Sequence, residues 1–189
     1  MDDSYVEYDF DPRNLPQEYL AAIGLAVSAA SQTNRVLADA IAGYAGIDAE
    51  FGAAMTTHMM VPLRISALKS LATMRMDDLE ALDRLDVILA KLKTALESRN
   101  SQAHDLWCRH PQTGQVYRLM ESARKHYTLA LEPASIDEIK LEATIVYKVG
   151  IELQEFLLEH GFEPALPQVR QRGHNTPEVR AARRKAMGK

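Results

Sequence analysis

From about residue 16 onward, apolar positions recur at intervals of three and four, the period of helices that bury one face. Between about Pro16 and Gly43 the stripe runs Ile23, Val27, Ala30, Asn34, Leu37, Ile41 and predicts a first long helix. Asp48 is placed to cap a second helical segment, which Pro62 kinks or divides because proline lacks a donor and crowds the preceding turn. Ile65, Leu68 and Leu71 carry the stripe beyond it. Asp77 followed by Glu80 resembles a capping box that opens a third helix, with Leu82, Leu85, Leu89, Leu92 and Leu96 on one side. Ser135 and Glu138 repeat that signal ahead of a last helix with Ile139, Ala143, Val146, Gly150, Leu153 and Leu157 on one face. Gly161 then Phe162 reads as its stop, with an apolar closing contact.

The helical period is lost over residues 105–132. Pro111 to Gly114 is turn material, flanked by Leu106-Trp107-Cys108, Val116 to Leu119 and Tyr127 to Leu131, segments rich in strand formers. The expected fold is therefore all-α, a four- to five-helix bundle with a small antiparallel β-hairpin or three-stranded flap inserted before the last long helix. Residues 1–14 form an acidic N-terminal arm, 15–163 the helical domain and 164–189 a basic tail, expected to be flexible.

Charge sharpens this division. The 189 residues carry 22 Lys+Arg against 26 Asp+Glu, a net −4 that argues against a nucleic-acid binder on average. The average conceals two parts, however. Residues 164–189 hold seven basic side chains against Glu178 alone, a net +6, so residues 1–163, with 15 basic and 25 acidic, carry −10. Cys108 is the one cysteine, which excludes an internal disulfide framework and suits a reducing compartment. Residues 1–11 lack the basic and apolar regions of an export signal, and the apolar run Tyr19–Ala30 is too short to span a bilayer, so a cytoplasmic protein without membrane contact is expected.

The candidate chemistry lies at the end of the third helix, in Leu96-Glu-Ser-Arg99-Asn100-Ser-Gln-Ala-His104-Asp-Leu-Trp107. Arg99 occupies a place where the leucine spacing asks for a core residue, and a guanidinium there is costly unless an anion pairs with it. Asn100 and His104, four apart, share a helix face. An arginine, an amide and an imidazole can hold a phosphate and move a proton. A purely structural arrangement is the competing reading, with Arg99 snorkelling at the helix end and His104 a helix-end residue.

Arg-Asn-x-x-x-His near the end of a long helix, soon followed by Trp, resembles the motif of HEPN-superfamily proteins. Those are all-α domains whose Arg-x(4–6)-His element defines the ribonuclease members; four residues separate Arg99 from His104. The likeness extends in architecture over roughly residues 15–162. It implies metal-independent endoribonuclease activity, giving a 2′,3′-cyclic phosphate and a 5′-hydroxyl, with no cofactor. His104 would be the general base or acid, its ordinary pKa of ~6.5 suiting that work. Arg99 would stabilise charge on the phosphoryl oxygens, and Asn100 would orient the imidazole or the phosphate. It also implies a homodimer in which two motifs meet, RNA as the partner, an antitoxin-like protein as a possible second one, and a toxin–antitoxin or defence setting. The alternative is a non-catalytic module of the same architecture that binds a protein or nucleic acid.

Other groupings are weaker. His104, Cys108 and His110 offer up to three zinc ligands but no fourth with suitable spacing, so no metal is expected. Cys108 beside a histidine fits a nucleophile pair less well than a small strand residue. Met55, Met59 and Met60 around His58 suggest core packing, and His160 a helix C-terminal residue. Asn34 suits either a hydrogen-bonded core position that fixes helix pairing or the cleft of Arg99. In the tail, Thr176-Pro177-Glu178 can start a short helix through Lys185, presenting Arg180, Arg183, Arg184 and Lys185 to RNA or to an acidic partner; a solvated end is the plainer reading.

Overall fold

A computed structural model describes residues 8–122, 128–166 and 177–188; for 98–104, 122, 177–180 and 183 it describes the backbone alone. Asp11 caps one 3-10 turn at Pro12–Asn14, and Pro16 leads into α1 (Gln17–Ala45), which ends on Gly46 at φ 68°, a left-handed cap that glycine adopts without strain. Beyond it lie α2 (Ala49–Thr56), α3 (Val61–Arg75) and α4 (Leu79–His104). Asp48 caps α2, as its spacing predicts, and Pro62 divides the segment by opening α3. The cap of α4 is Asp78 and not Asp77: its carboxylate accepts from the backbone N–H groups of Glu80 at 3.0 Å and Ala81 at 3.1 Å. Two adjacent aspartates leave that choice open in sequence.

Three antiparallel strands follow in the order β1 (Leu106–Arg109), β2 (Val116–Ser122), β3 (Thr128–Pro133). Trp107 faces Arg118 across the first pair, and Arg118 faces Glu132 across the second. The insertion is thus a three-stranded sheet and not a two-stranded hairpin. Asp9 bonds to the free edge of β1 through both backbone groups of Arg109, so this part of the acidic arm is tied to the sheet. Ser135 caps α5 (Ile136–His160), and Gly161 ends it at φ 69°. Phe162 then stacks on Tyr44 with ring centroids 4.0 Å apart, the apolar closing contact its position suggests. The Ala165 N–H donates to the Ile47 carbonyl, which carries the packed domain slightly past residue 163. The tail forms α6 (Pro177–Ala186).

α1, α3, α4 and α5 enclose one core around Leu37, Leu68, Leu89, Leu92, Leu153 and Phe156. The chain is mostly helical with a small antiparallel sheet, as expected, but short α2 and terminal α6 make it less regular than a plain bundle.

Two packing expectations fail. α1 buries Ala22, Ala26, Ala29, Ala30, Thr33 and Leu37, leaving Ile23 half-buried and Val27 exposed. α5 approaches too closely for large side chains: a Cβ on Gly150 would lie 2.6 Å from Thr33 Oγ1, and that hydroxyl donates to the Val146 carbonyl at 3.0 Å. Likewise α2 sits on α1 through Gly52, where a Cβ would lie 2.5 Å from that of Ala42. With α2 seated this way Met55 is exposed, and beyond the helix Met60 is exposed and Met59 half-buried, where the spacing suggests core packing. Small residues set both interfaces because backbones that close leave no room for branched ones.

Candidate functional site

The local reason α4 exists is its apolar face: Leu85, Ile88, Leu89, Leu92, Ala95 and Leu96 are all buried. The helix continues without a break through position 104. Helical geometry therefore places positions 99 and 100 one turn beyond Leu96, and position 104 on the face of position 100. The side chains of Arg99, Asn100 and His104 lie outside the described residues.

The residues just past the motif hold the helix end in place. One residue past His104, Asp105 is only 13% exposed and its carboxylate lies 3.6 Å from Arg118 Nε; Arg118 Nη2 lies 3.7 Å from Glu132 Oε2. Trp107, paired with Arg118 in register, packs against the helical core. The end of α4 is thereby fastened to β2 and β3 by charge and to the core by an indole. The sequence alone does not single out Arg118. Its one signal is a lone cation between Val116 and Leu119 on a strand, which asks for a carboxylate across the ladder.

Beside Leu96 and Glu97 opens a cleft of about 660 Å³, walled also by Ser31, Asn34, Met59, Met60, Val61, Pro62 and Arg64. Arg64 is half-buried. Its guanidinium donates from Nε to the Met59 carbonyl at 3.0 Å, from Nη2 to that of Thr56 at 2.7 Å and from Nη1 to that of Asn34 at 3.4 Å. Burial pushes its pKa down from the ordinary arginine value. Asn34 thus lines a cleft that α4 also walls, through Leu96 and Glu97. A second, more apolar cleft of about 680 Å³ lies between α4 and α5, lined by Lys91, Thr94, Glu142, Ile145 and Val149 among others.

The remaining candidates have structural surroundings. Cys108 is fully buried and burial pushes its thiol pKa up, which disfavours the thiolate a nucleophile needs. His110 sits edge-on to Tyr8 with centroids 5.3 Å apart, and its Nδ1 accepts from the backbone N–H groups of Gln112 and Thr113, shaping the turn to β2. Among the described residues no three His, Cys, Asp or Glu side chains gather as a metal site. His160 lies against Phe156 in the last turn of α5, centroids 4.4 Å apart. On α6, Arg184 and Lys185 are exposed, while the side chains of Arg180 and Arg183 lie outside the described residues. Among the described residues no helix is long and apolar enough to cross a membrane.

Neither the family models, nor the curated proteins, nor the solved structures compared with this chain match it.

Proposed function

We propose that this protein is a HEPN-like endoribonuclease that cleaves RNA without a metal, through Arg99, Asn100 and His104 at a homodimer interface. The observation that carries the reading is the unbroken course of α4 through an Arg-x4-His element, with positions 100 and 104 on one face and the helix end fastened by Asp105 and Arg118. The chemistry balances within the RNA strand. The ribose 2′-oxygen attacks the adjacent phosphorus, its proton passes to an imidazole, and the P–O5′ bond breaks. A 2′,3′-cyclic phosphate remains on one product, and the departing 5′-oxygen takes a proton to become a hydroxyl. Arg99 offsets the charge that grows on the non-bridging oxygens. Where two motifs meet across a dimer, one His104 serves as base and its copy as acid. A cytoplasmic enzyme restrained by an antitoxin-like protein fits this reading, with the basic side chains of α6 as an accessory RNA arm.

Mixed-sequence single-stranded RNA incubated with purified protein, in the presence of a chelator, tests this. Wild type is expected to yield 5′-hydroxyl and cyclic-phosphate ends, and His104→Ala to lose at least about 100-fold in rate, the usual worth of a general acid or base. An intact protein that leaves RNA uncut in both forms overturns the enzymatic reading in favour of a binding module.

A further inference from the structure

We propose that the cleft between α1, the α2–α3 connection and α4 is a backbone-phosphate subsite for the RNA strand, with Arg64 as its anion-holding group. The proposal rests on the reading of the protein as one that acts on RNA. Among the described residues Arg64, like Arg75 and Arg109, makes no ion pair with a carboxylate, and it is set apart by its three carbonyl bonds in a cleft. Arg35, Arg84 and Arg118 each lie within 4.0 Å of a carboxylate. Arg64, although half-buried, has only uncharged carbonyls as acceptors among the described residues. Carbonyls satisfy hydrogen bonds but leave the positive charge in place, and a partly desolvated cation favours an anion. A guanidinium has five N–H groups, and bonds to the described residues use three of them.

The three carbonyls also fix the group in space. Those of Thr56 and Met59 belong to the end of α2 and the turn after it, and that of Asn34 to α1. A cation already immobilised loses little entropy when an anion arrives. The hydroxyl of Ser31, exposed on the cleft wall, donates its proton to the Val27 carbonyl at 2.9 Å and keeps its lone pairs for a ribose hydroxyl. Glu97 is the opposing charge on the rim; its side chain is 59% exposed and lies 4.0 Å from Lys93. Solvent screens it more than Arg64.

The position relative to the motif gives the cleft its use. Leu96, on its wall, precedes position 104 by eight residues of continuous helix, roughly 12 Å along the axis. In this proposal a strand with its scissile phosphate at the motif runs back along α4 and rests another of its phosphates on Arg64. The subsite holds that phosphate and leaves the base unread, so it contributes affinity and register and no sequence preference.

The test uses a labelled single-stranded RNA of mixed sequence, bound by the full chain carrying His104→Ala and titrated at several salt concentrations. Ser31→Asp places a carboxylate in the cleft at a residue that supplies none of the three carbonyl acceptors of Arg64. It is expected to weaken binding about three- to ten-fold and to lower the slope of log K against log salt by about 0.7, one phosphate contact on a single strand. Glu97→Gln is expected to tighten binding a few-fold. Unchanged affinity and slope in both variants, with thermal midpoints like that of the parent, overturn the subsite. If wild type still cleaves RNA in that case, the enzymatic reading stands without it. Weakened binding by Ser31→Asp in a protein that never cleaves keeps the subsite and overturns the enzyme. No RNA binding by the parent overturns the subsite and the RNA reading together.

Discussion

Tyr44 shows how one buried side chain ties local chemistry to the stability of the whole. Its ring is fully buried under Phe162, its hydroxyl lies 2.8 Å from Met76 Sδ, a weak acceptor, and burial pushes its pKa up to about 12. Below pH ~10 the phenol is protonated folded or unfolded. Between pH ~10 and about 12 the unfolded chain releases this proton and the folded chain keeps it, so stability falls as pH rises through that window. Denaturant midpoints followed from pH 8 to 12 are expected to drop, and Tyr44→Phe to remove most of the drop, on the order of 2 kcal/mol, with little change at pH 8. Tyr19, half-buried and raised in the same direction, leaves a smaller residual slope in that variant. An equal slope in both proteins would show that the phenol is not desolvated. Nothing in the sequence around Tyr44 announces this, because the partners that bury it, Phe162 and Met76, lie far along the chain.

Among the elements, the joint between α4 and the sheet bears most directly on function. β1 begins two residues after His104, and its pairing with β2 brings Arg118 to Asp105. Under the proposed function Arg118 is a positioning residue, acting on the motif through the helix end. Replacing it by methionine removes the cation 3.6 Å from the largely buried Asp105 carboxylate and loosens the last turn. Arg118→Met is expected to lower kcat about ten-fold or more with KM little changed, since small misplacements of catalytic groups are costly. Arg118→Lys, which keeps the charge, is expected to recover much of the loss. A change confined to thermal stability, with steady-state parameters intact, would make the residue merely structural. Elements were legible where their signals are local. The caps at Asp48 and Ser135, the proline that opens α3 and the glycine stop at Gly161 all stand where side-chain chemistry puts them. The third strand's place in the sheet depended on a register that no local pattern states.

For the molecule as a whole, the uneven charge is the leading feature: a −10 body joined to a +6 tail. Such a body repels phosphate except where cations are concentrated, so α6 and the Arg64 cleft carry the burden of RNA affinity in the proposed function. Neutralising Arg180, Arg183, Arg184 and Lys185 together is expected to weaken RNA binding at low salt. The salt slope should fall by up to about 3, at ~0.7 for each phosphate no longer neutralised, while the cleavage pattern is unchanged. Filter binding at graded salt checks this, and a slope that does not move would free the tail from any role in RNA binding.

Legible in the chain alone were the helical periods of α3, α4 and α5, the β-insertion and the place of positions 99, 100 and 104 at the end of α4, since each is carried by residues within a few turns of one another. The buried face of α1, the outward Met55, the clasp of Asp105 by Arg118 and the carbonyl cradle of Arg64 were not. Each depends on which backbone comes close to which, and close approach at Gly150 and Gly52 reassigns the neighbouring side chains between core and solvent. Hydrophobic spacing names the residues able to be buried. Interhelical distance chooses among them, and it is a property of pairs of segments far apart in sequence.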